Sequence, residues 1–90
     1  IKRVIATEGQ WVDIDFEAGI VYVDGEARYE PYTNNPTNHT LGTQFPLTVA
    51  ENCIFVLGDN RNNSLDSRSG EIGLVDTNSI VGKMVFEIGN

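Results

Sequence analysis

Short runs of β-branched and aromatic residues, separated by glycine-containing turns, recur along the whole chain. Apolar residues hardly ever repeat at the spacing of an amphipathic helix, so the pattern favours strands. Residues 11–16 alternate strictly, with Val12, Ile14 and Phe16 on one side of the strand. The sequence therefore predicts an all-β fold, a small antiparallel domain of hairpins arranged as a partly open barrel or a sandwich.

Several segments have the composition of strands. They are residues 2–7, 11–16, 20–24, 26–29, 45–49, 53–57 and 79–88, with a short extended piece within 71–76. A turn at 17–19 makes residues 11–24 a β-hairpin. Pro46 has no backbone donor for a sheet, which places the strand 45–49 at an edge.

The chain of 90 residues is one small domain, or part of one, without an internal linker between positions 1 and 90. The polar segment 30–44, rich in Pro and Asn, predicts a long loop that is mobile or faces a partner. A formal net charge of −7 argues against nucleic-acid binding, which needs a basic surface. A single cysteine and a single histidine exclude an intrachain disulfide and give little support to a metal site.

A dense polar segment, Gly58 to Arg68, directly follows the most apolar strand. A structural loop is one explanation, because Asn, Asp, Ser and Gly satisfy local backbone groups. A calcium loop does not fit, since Ser64 and Gly70 stand where such a loop needs Gly and Glu. The third interpretation is a catalytic scaffold, in which paired carboxylates and arginines hold a hydroxyl in place.

Lys2 is unusual because it stands in an apolar strand beside Val4 and Ile5. An edge-strand lysine that prevents aggregation is one explanation. The other is a buried general base, since burial disfavours the ammonium form and makes a neutral amine accessible. A neutral lysine can activate a serine hydroxyl, as in Ser-Lys catalysis.

Two elements, the strand Ile1 to Ile5 and the segment Gly58 to Arg68, together resemble bacterial type I signal peptidases of the S26 type. The second element matches the long motif of that family almost residue for residue, and both occur in the family's order. Val23-Asp24-Gly25 and Glu30-Pro31-Tyr32 resemble its Gram-positive members. The family pattern Gly-Leu-Pro-Gly-Asp is replaced by Ala6-Thr7-Glu8-Gly9-Gln10, which alters the turn after the strand.

The resemblance implies a Ser-Lys dyad in which Lys2 is the general base. Ser64 would hydrogen-bond the lysine nitrogen and orient it, and Gly58 would leave space beside the lysine. The remaining polar residues of the segment would build the loop: Asn60, Arg61, Asn62 and Asn63.

The resemblance also implies two ion pairs. Asp66 and Arg68 would pair and support Ser64. Asp59 would pair with Arg3 or with Arg68. Buried pairs of this kind mainly fix geometry, because the cost of desolvation offsets much of their attraction.

The nucleophile of this family lies in a Ser-x-Ser-Met type segment upstream of the lysine strand, and no serine precedes Lys2. We therefore expect the nucleophile, its oxyanion-hole neighbours and an N-terminal membrane anchor outside these 90 residues. The chain would be the C-terminal part of a larger β-rich catalytic core. By itself it would be inactive, and an uncovered edge would allow it to form a homodimer.

The function implied by the resemblance is that of a serine endopeptidase that removes N-terminal signal peptides from secreted pre-proteins. It would need no metal or organic cofactor. It would act at the bacterial cytoplasmic membrane, with its catalytic domain on the extracytoplasmic side. One alternative is a non-catalytic signal-peptidase-like chaperone or surface assembly factor. Another is a self-cleaving repressor-type peptidase, which the segment Gly58 to Arg68 fits poorly.

Overall fold

Strands account for the regular structure of the described chain. The computed structural model describes residues 2–31, 33, 36–62, 64–70, 72–77 and 86–88. Within these ranges the strands are β1 (Lys2–Thr7), β2 (Trp11–Asp15), β3 (Ile20–Val23), β4 (Glu26–Ala27), β5 (Leu47–Thr48), β6 (Cys53–Gly58), β7 (Val75–Asp76) and β8 (Phe86–Ile88). No α-helix occurs in the same ranges, so the predicted all-β class is confirmed. The described segments accordingly include no helix with the length and apolar character needed to cross a bilayer.

The first sheet has the strand order β7-β6-β1-β8. β1 and β6 run antiparallel, with Lys2 opposite Gly58, and a bulge between Val4 and Ala6 shifts the register. On its other side β1 pairs in parallel with β8, a pairing that the sequence pattern does not indicate. β1 is therefore an inner strand, and its first residue faces the last residue of β6.

The second sheet has the order β4-β3-β2-β5. The predicted hairpin is present as β2 and β3, with Val12 opposite Val23 and Ile14 opposite Val21. β5 pairs only with β2 among the described strands, at the edge position that Pro46 predicts. The two sheets, as far as the structure describes them, do not close into a barrel.

Both sheets contribute to one hydrophobic core. The buried members are Ile5, Ala6, Val12, Ile14, Val21, Val23, Val49, Phe55 and Leu57. The ring of Phe55 packs edge-on against Phe45, which in turn packs against Phe16. Each fully buried aliphatic or aromatic side chain contributes about 1.5–3 kcal/mol, so this core holds the two sheets against each other. Cys53 is half-buried beside the core.

The strand boundaries differ from the predicted ones mainly in the short strands. β4 and β5 each have two residues, fewer than the predicted segments 26–29 and 45–49. Of the segment 71–76, residues 75–76 pair as β7. The predicted strand 79–88 is represented by β8, and residues 79–85 lie outside the described part of the chain.

The described residues of the long loop 30–44 are fastened to the rest of the fold at several points. Thr37 is buried, and Leu41 and Gly42 form bridges with Ser69. The Thr43 hydroxyl donates to the Ser67 carbonyl at 2.8 Å. The Pro- and Asn-rich composition prevents long strands here, but it leaves side chains free to make buried hydrogen bonds. The described residues of this loop are therefore anchored, and the prediction that the loop is mobile or faces a partner stays a prediction.

Candidate active site

Lys2 begins β1 directly opposite Gly58, the last residue of β6. Directly opposed residues of an antiparallel pair project to the same face of the sheet, with Cβ positions about 5 Å apart. The Lys2 side chain thus projects to the same face of the sheet on which Gly58 has no side chain. Lys2 is half-buried rather than buried, because it is the first residue of its strand.

Ser64 occupies the space over Gly58. A Cβ atom at position 58 would overlap both Cβ and Oγ of Ser64, so only glycine fits there. The space that Gly58 leaves on this face is occupied by Ser64, and the predicted role of this space beside the lysine stays a prediction. The Ser64 hydroxyl donates its proton to the Asn60 carbonyl. The predicted hydrogen bond between Ser64 and Lys2 remains a prediction, and a hydroxyl that donates elsewhere can only accept from the lysine.

Asp66 and Arg68 form an ion pair whose side chains are both 0% exposed. Arg68 Nε lies 2.9 Å from Asp66 Oδ1, and its NH2 lies 2.8 Å from Oδ2. Asp66 Oδ2 also accepts the backbone N–H of Gly58 at 2.9 Å. The pair therefore holds the Gly58 backbone, and its predicted support of Ser64 stays a prediction.

Arg3 and Asp59 form the second ion pair, which is partly exposed. Arg3 Nε and NH2 bind the two carboxylate oxygens of Asp59 at 2.9 and 2.7 Å. Of the two partners considered for Asp59, the structure therefore has Arg3, while Arg68 is bound to Asp66. Hydrogen bonding from Arg3 lowers the pKa of Asp59 below its ordinary value of 3.8, against the opposing effect of partial burial.

Arg61, which the sequence indicated only as a loop residue, is a buried cation at the centre of the segment. Its side chain is 0% exposed and forms a bidentate ion pair with Glu30, with both N–O distances 2.8 Å. Its Nε donates to the Gly58 carbonyl, and its NH1 donates also to the Thr37 hydroxyl, both at 2.8 Å. A buried arginine needs such partners. No local signal in the sequence links Arg61 to a glutamate 31 positions away.

The carboxylates around Gly58 are all engaged by arginines. Glu30, Asp59 and Asp66 each receive two guanidinium N–H groups. Among the described residues, no group of three or more His, Cys, Asp or Glu side chains could hold a metal ion. Within this described cluster, Lys2 and Ser64 both lie next to Gly58, Lys2 opposite it across the β1–β6 pair and Ser64 over the position that its side chain would take.

The comparisons with known proteins agree with these features. Residues 1–88 match the family described as signal peptidase, peptidase S26. The chain is 41% identical to a probable signal peptidase I-1 of Synechocystis sp., over 96% of this chain and 40% of that protein. It is 37% identical to signal peptidase I of Bacillus amyloliquefaciens, over 96% of this chain and 47% of that protein.

Two further comparisons extend the range of relatives. The chain is 36% identical to thylakoidal processing peptidase 1 of Arabidopsis thaliana chloroplasts, over 96% of this chain and 23% of that protein. A crystal structure of a signal peptidase I from Enterococcus faecalis is similar with a TM-score of 0.71 and 32% identity, covering 93% of this chain and 80% of that one. The chain spans less than half the length of the three curated relatives.

Proposed function

The chain belongs to the signal peptidase family, peptidase S26, and on this premise we propose that it is the lysine-bearing part of a serine endopeptidase. The substrates are secreted pre-proteins, from which the enzyme removes the N-terminal signal peptide. The observation that carries the proposal is the position of Lys2 directly opposite Gly58, with Ser64 packed against that glycine.

The reaction uses Lys2 as general base and then as general acid. The neutral amine takes the proton of a serine hydroxyl supplied from outside these 90 residues, and the serine oxygen attacks the scissile carbonyl. The resulting ammonium donates its proton to the leaving amine as the peptide bond breaks, which leaves an ester on the serine. The same lysine takes a proton from a water molecule that hydrolyses the ester. No metal or organic cofactor takes part.

Ser64 orients the base in this mechanism. Its own proton is held by the Asn60 carbonyl, so its oxygen lone pairs accept an N–H of the Lys2 amine. This contact leaves the nitrogen lone pair of the amine directed toward the nucleophile. Ser64 is thus a positioning residue, and Gly58 gives it the room to reach that place.

The location we propose is the bacterial cytoplasmic membrane, with the catalytic domain on the extracytoplasmic side. An N-terminal anchor outside these 90 residues holds the enzyme there, close to emerging pre-proteins. The support for this location is family membership together with the signal peptidase names of the bacterial relatives.

The test is cleavage of a purified pre-protein by the complete protein and by its Lys2→Ala variant. The wild type is expected to release the mature protein, and Lys2→Ala is expected to release none, because the base has been removed. A folded wild-type protein that binds the pre-protein without cleaving it would contradict the proposal. That result would favour the alternative of a chaperone or assembly factor.

A further inference from the structure

Both peptide groups of Gly58 are held by buried ion pairs. Its N–H donates to Asp66 Oδ2 at 2.9 Å, and its carbonyl accepts from Arg61 Nε at 2.8 Å. The first contact belongs to the Asp66–Arg68 pair that the sequence motif contains. The second belongs to Arg61, whose carboxylate partner comes from outside that motif.

The long loop fixes the orientation of the Arg61 guanidinium. Glu30 binds NH1 and NH2 through its two oxygens, and Thr37 accepts a second hydrogen bond from NH1, all at 2.8 Å. A guanidinium is a rigid planar fork, so fixing these two nitrogen atoms also fixes the direction of Nε. That direction is the one in which Nε meets the Gly58 carbonyl.

The two ion pairs are also joined to each other. Arg68 NH1 donates to the Arg61 carbonyl at 2.9 Å, in addition to the bonds that Arg68 makes with Asp66. A displacement of Arg61 therefore acts on Gly58 by two routes, through its side chain and through its main chain. Buried polar networks of this kind hold one geometry when every member is satisfied.

We infer that Glu30, Thr37 and Arg61 are positioning residues for the reaction, which hold Gly58 and Ser64 in place against Lys2. The inference rests on the proposed function, because its consequence is a change in turnover. The three residues lie away from Lys2 in sequence and act through the Gly58 carbonyl. Their loss should therefore lower kcat and leave KM nearly unchanged.

The kinetic test compares variants of the complete protein on a pre-protein substrate. Glu30→Gln replaces one acceptor oxygen by an amide group facing Arg61 and should lower kcat about 10- to 100-fold, the effect of a misplaced catalytic group. Thr37→Val removes one hydrogen bond at constant shape and should lower kcat about fivefold. Thr37→Ser keeps the hydroxyl and should restore kcat, whereas KM should change less than about twofold in each variant.

Amide hydrogen exchange gives a readout that does not depend on activity. In Thr37→Val, the segment 58–66 should exchange faster than in the wild type, while the hairpin of β2 and β3 should keep its wild-type protection. The inference is overturned if folded Thr37→Val keeps both wild-type kcat and wild-type exchange. The inference is also overturned if the fractional loss of kcat in Thr37→Val equals the fraction of that variant that is unfolded. If Glu30→Gln fails to fold, the kinetics and hydrogen exchange of Thr37→Val decide the inference. If the complete wild-type protein does not cleave the pre-protein, the hydrogen exchange of segment 58–66 decides whether Thr37 helps to hold that segment in place.

Discussion

Gly58 is a glycine because Ser64 occupies the place of its side chain. Gly58→Ala should displace Ser64 from its place over residue 58 and lower kcat about 100-fold in the complete protein. Gly70→Ala is the matched control, because a Cβ atom there meets nothing within 4 Å. Kinetics of the two variants on one pre-protein check the prediction. Equal activity of Gly58→Ala and Gly70→Ala would show that the close contact is unimportant.

Ser64 itself should matter for turnover and little for folding, since it is half-buried. Ser64→Ala removes the oxygen that we propose orients the Lys2 amine, so it should lower kcat about 10- to 100-fold, with an unchanged melting temperature. Leu65→Ala, at the exposed neighbouring side chain, serves as the control. If Ser64→Ala cleaves at the wild-type rate, Ser64 does not orient the base.

Asp59 makes a pH-dependent contribution to stability through Arg3. Its pKa is lowered in the folded protein, so the contribution is present above the ordinary value of 3.8 and is lost as the pH falls through the lowered value. Asp59→Asn should therefore cost about 1 kcal/mol near neutral pH. Urea unfolding of the wild type and the variant should give free energies of unfolding that converge as the pH falls through the lowered pKa of Asp59. A difference that persists or grows in acid would contradict this sign.

At the level of single residues, the sequence motif predicted the polar positions but only some of their partners. The Asp66–Arg68 pair is the one that the family resemblance implies, and the structure contains it. The choice of Arg3 as partner of Asp59 was left open, because it depends on the register of β1 and β6. The pairing of Arg61 with Glu30 had no local signal.

The elements that carry the site are β1, β6 and the segment after β6. Because β1 and β6 are paired antiparallel, Lys2 at the start of β1 lies opposite Gly58 at the end of β6. The polar segment begins at Gly58. Apolar runs, the alternation of apolar and polar residues and the glycine-containing turns were sufficient to predict β1, the β2–β3 hairpin and β6. The parallel pairing of β1 with β8 could not be predicted, since it joins distant segments without a turn signal.

The two Asp–Arg pairs near the contact of β1 with the end of β6 differ in burial: Asp66–Arg68 is fully buried and Asp59–Arg3 is partly exposed. Asp66→Ala leaves the buried Arg68 without its carboxylate and should reduce the free energy of unfolding by about 3–5 kcal/mol. Asp59→Ala removes the same chemical group from the partly exposed pair with Arg3 and should cost about 1 kcal/mol. Denaturant unfolding of both variants checks the difference. Equal losses in the free energy of unfolding would mean that burial does not determine how much each pair contributes to stability.

In the proposed mechanism, the chain supplies a base and its supports on a β-rich core, and the nucleophile comes from elsewhere in the protein. We therefore predict that the isolated 90 residues do not cleave a pre-protein, even when circular dichroism shows them folded. Gel filtration of the same sample tests the proposed homodimer, which an uncovered strand edge would favour. Turnover by the pure isolated chain would refute the proposed division of the catalytic groups.

Lys2→Arg tests most directly whether Lys2 acts as the base. Arginine keeps a positive charge on a long, flexible side chain, but it does not give up its proton in proteins. The measurement is the rate of pre-protein cleavage by the complete, folded Lys2→Arg protein. We predict no cleavage above that of Lys2→Ala. Cleavage at a rate near that of the wild type would show that the charge of Lys2, and not its ability to accept a proton, is what the reaction requires.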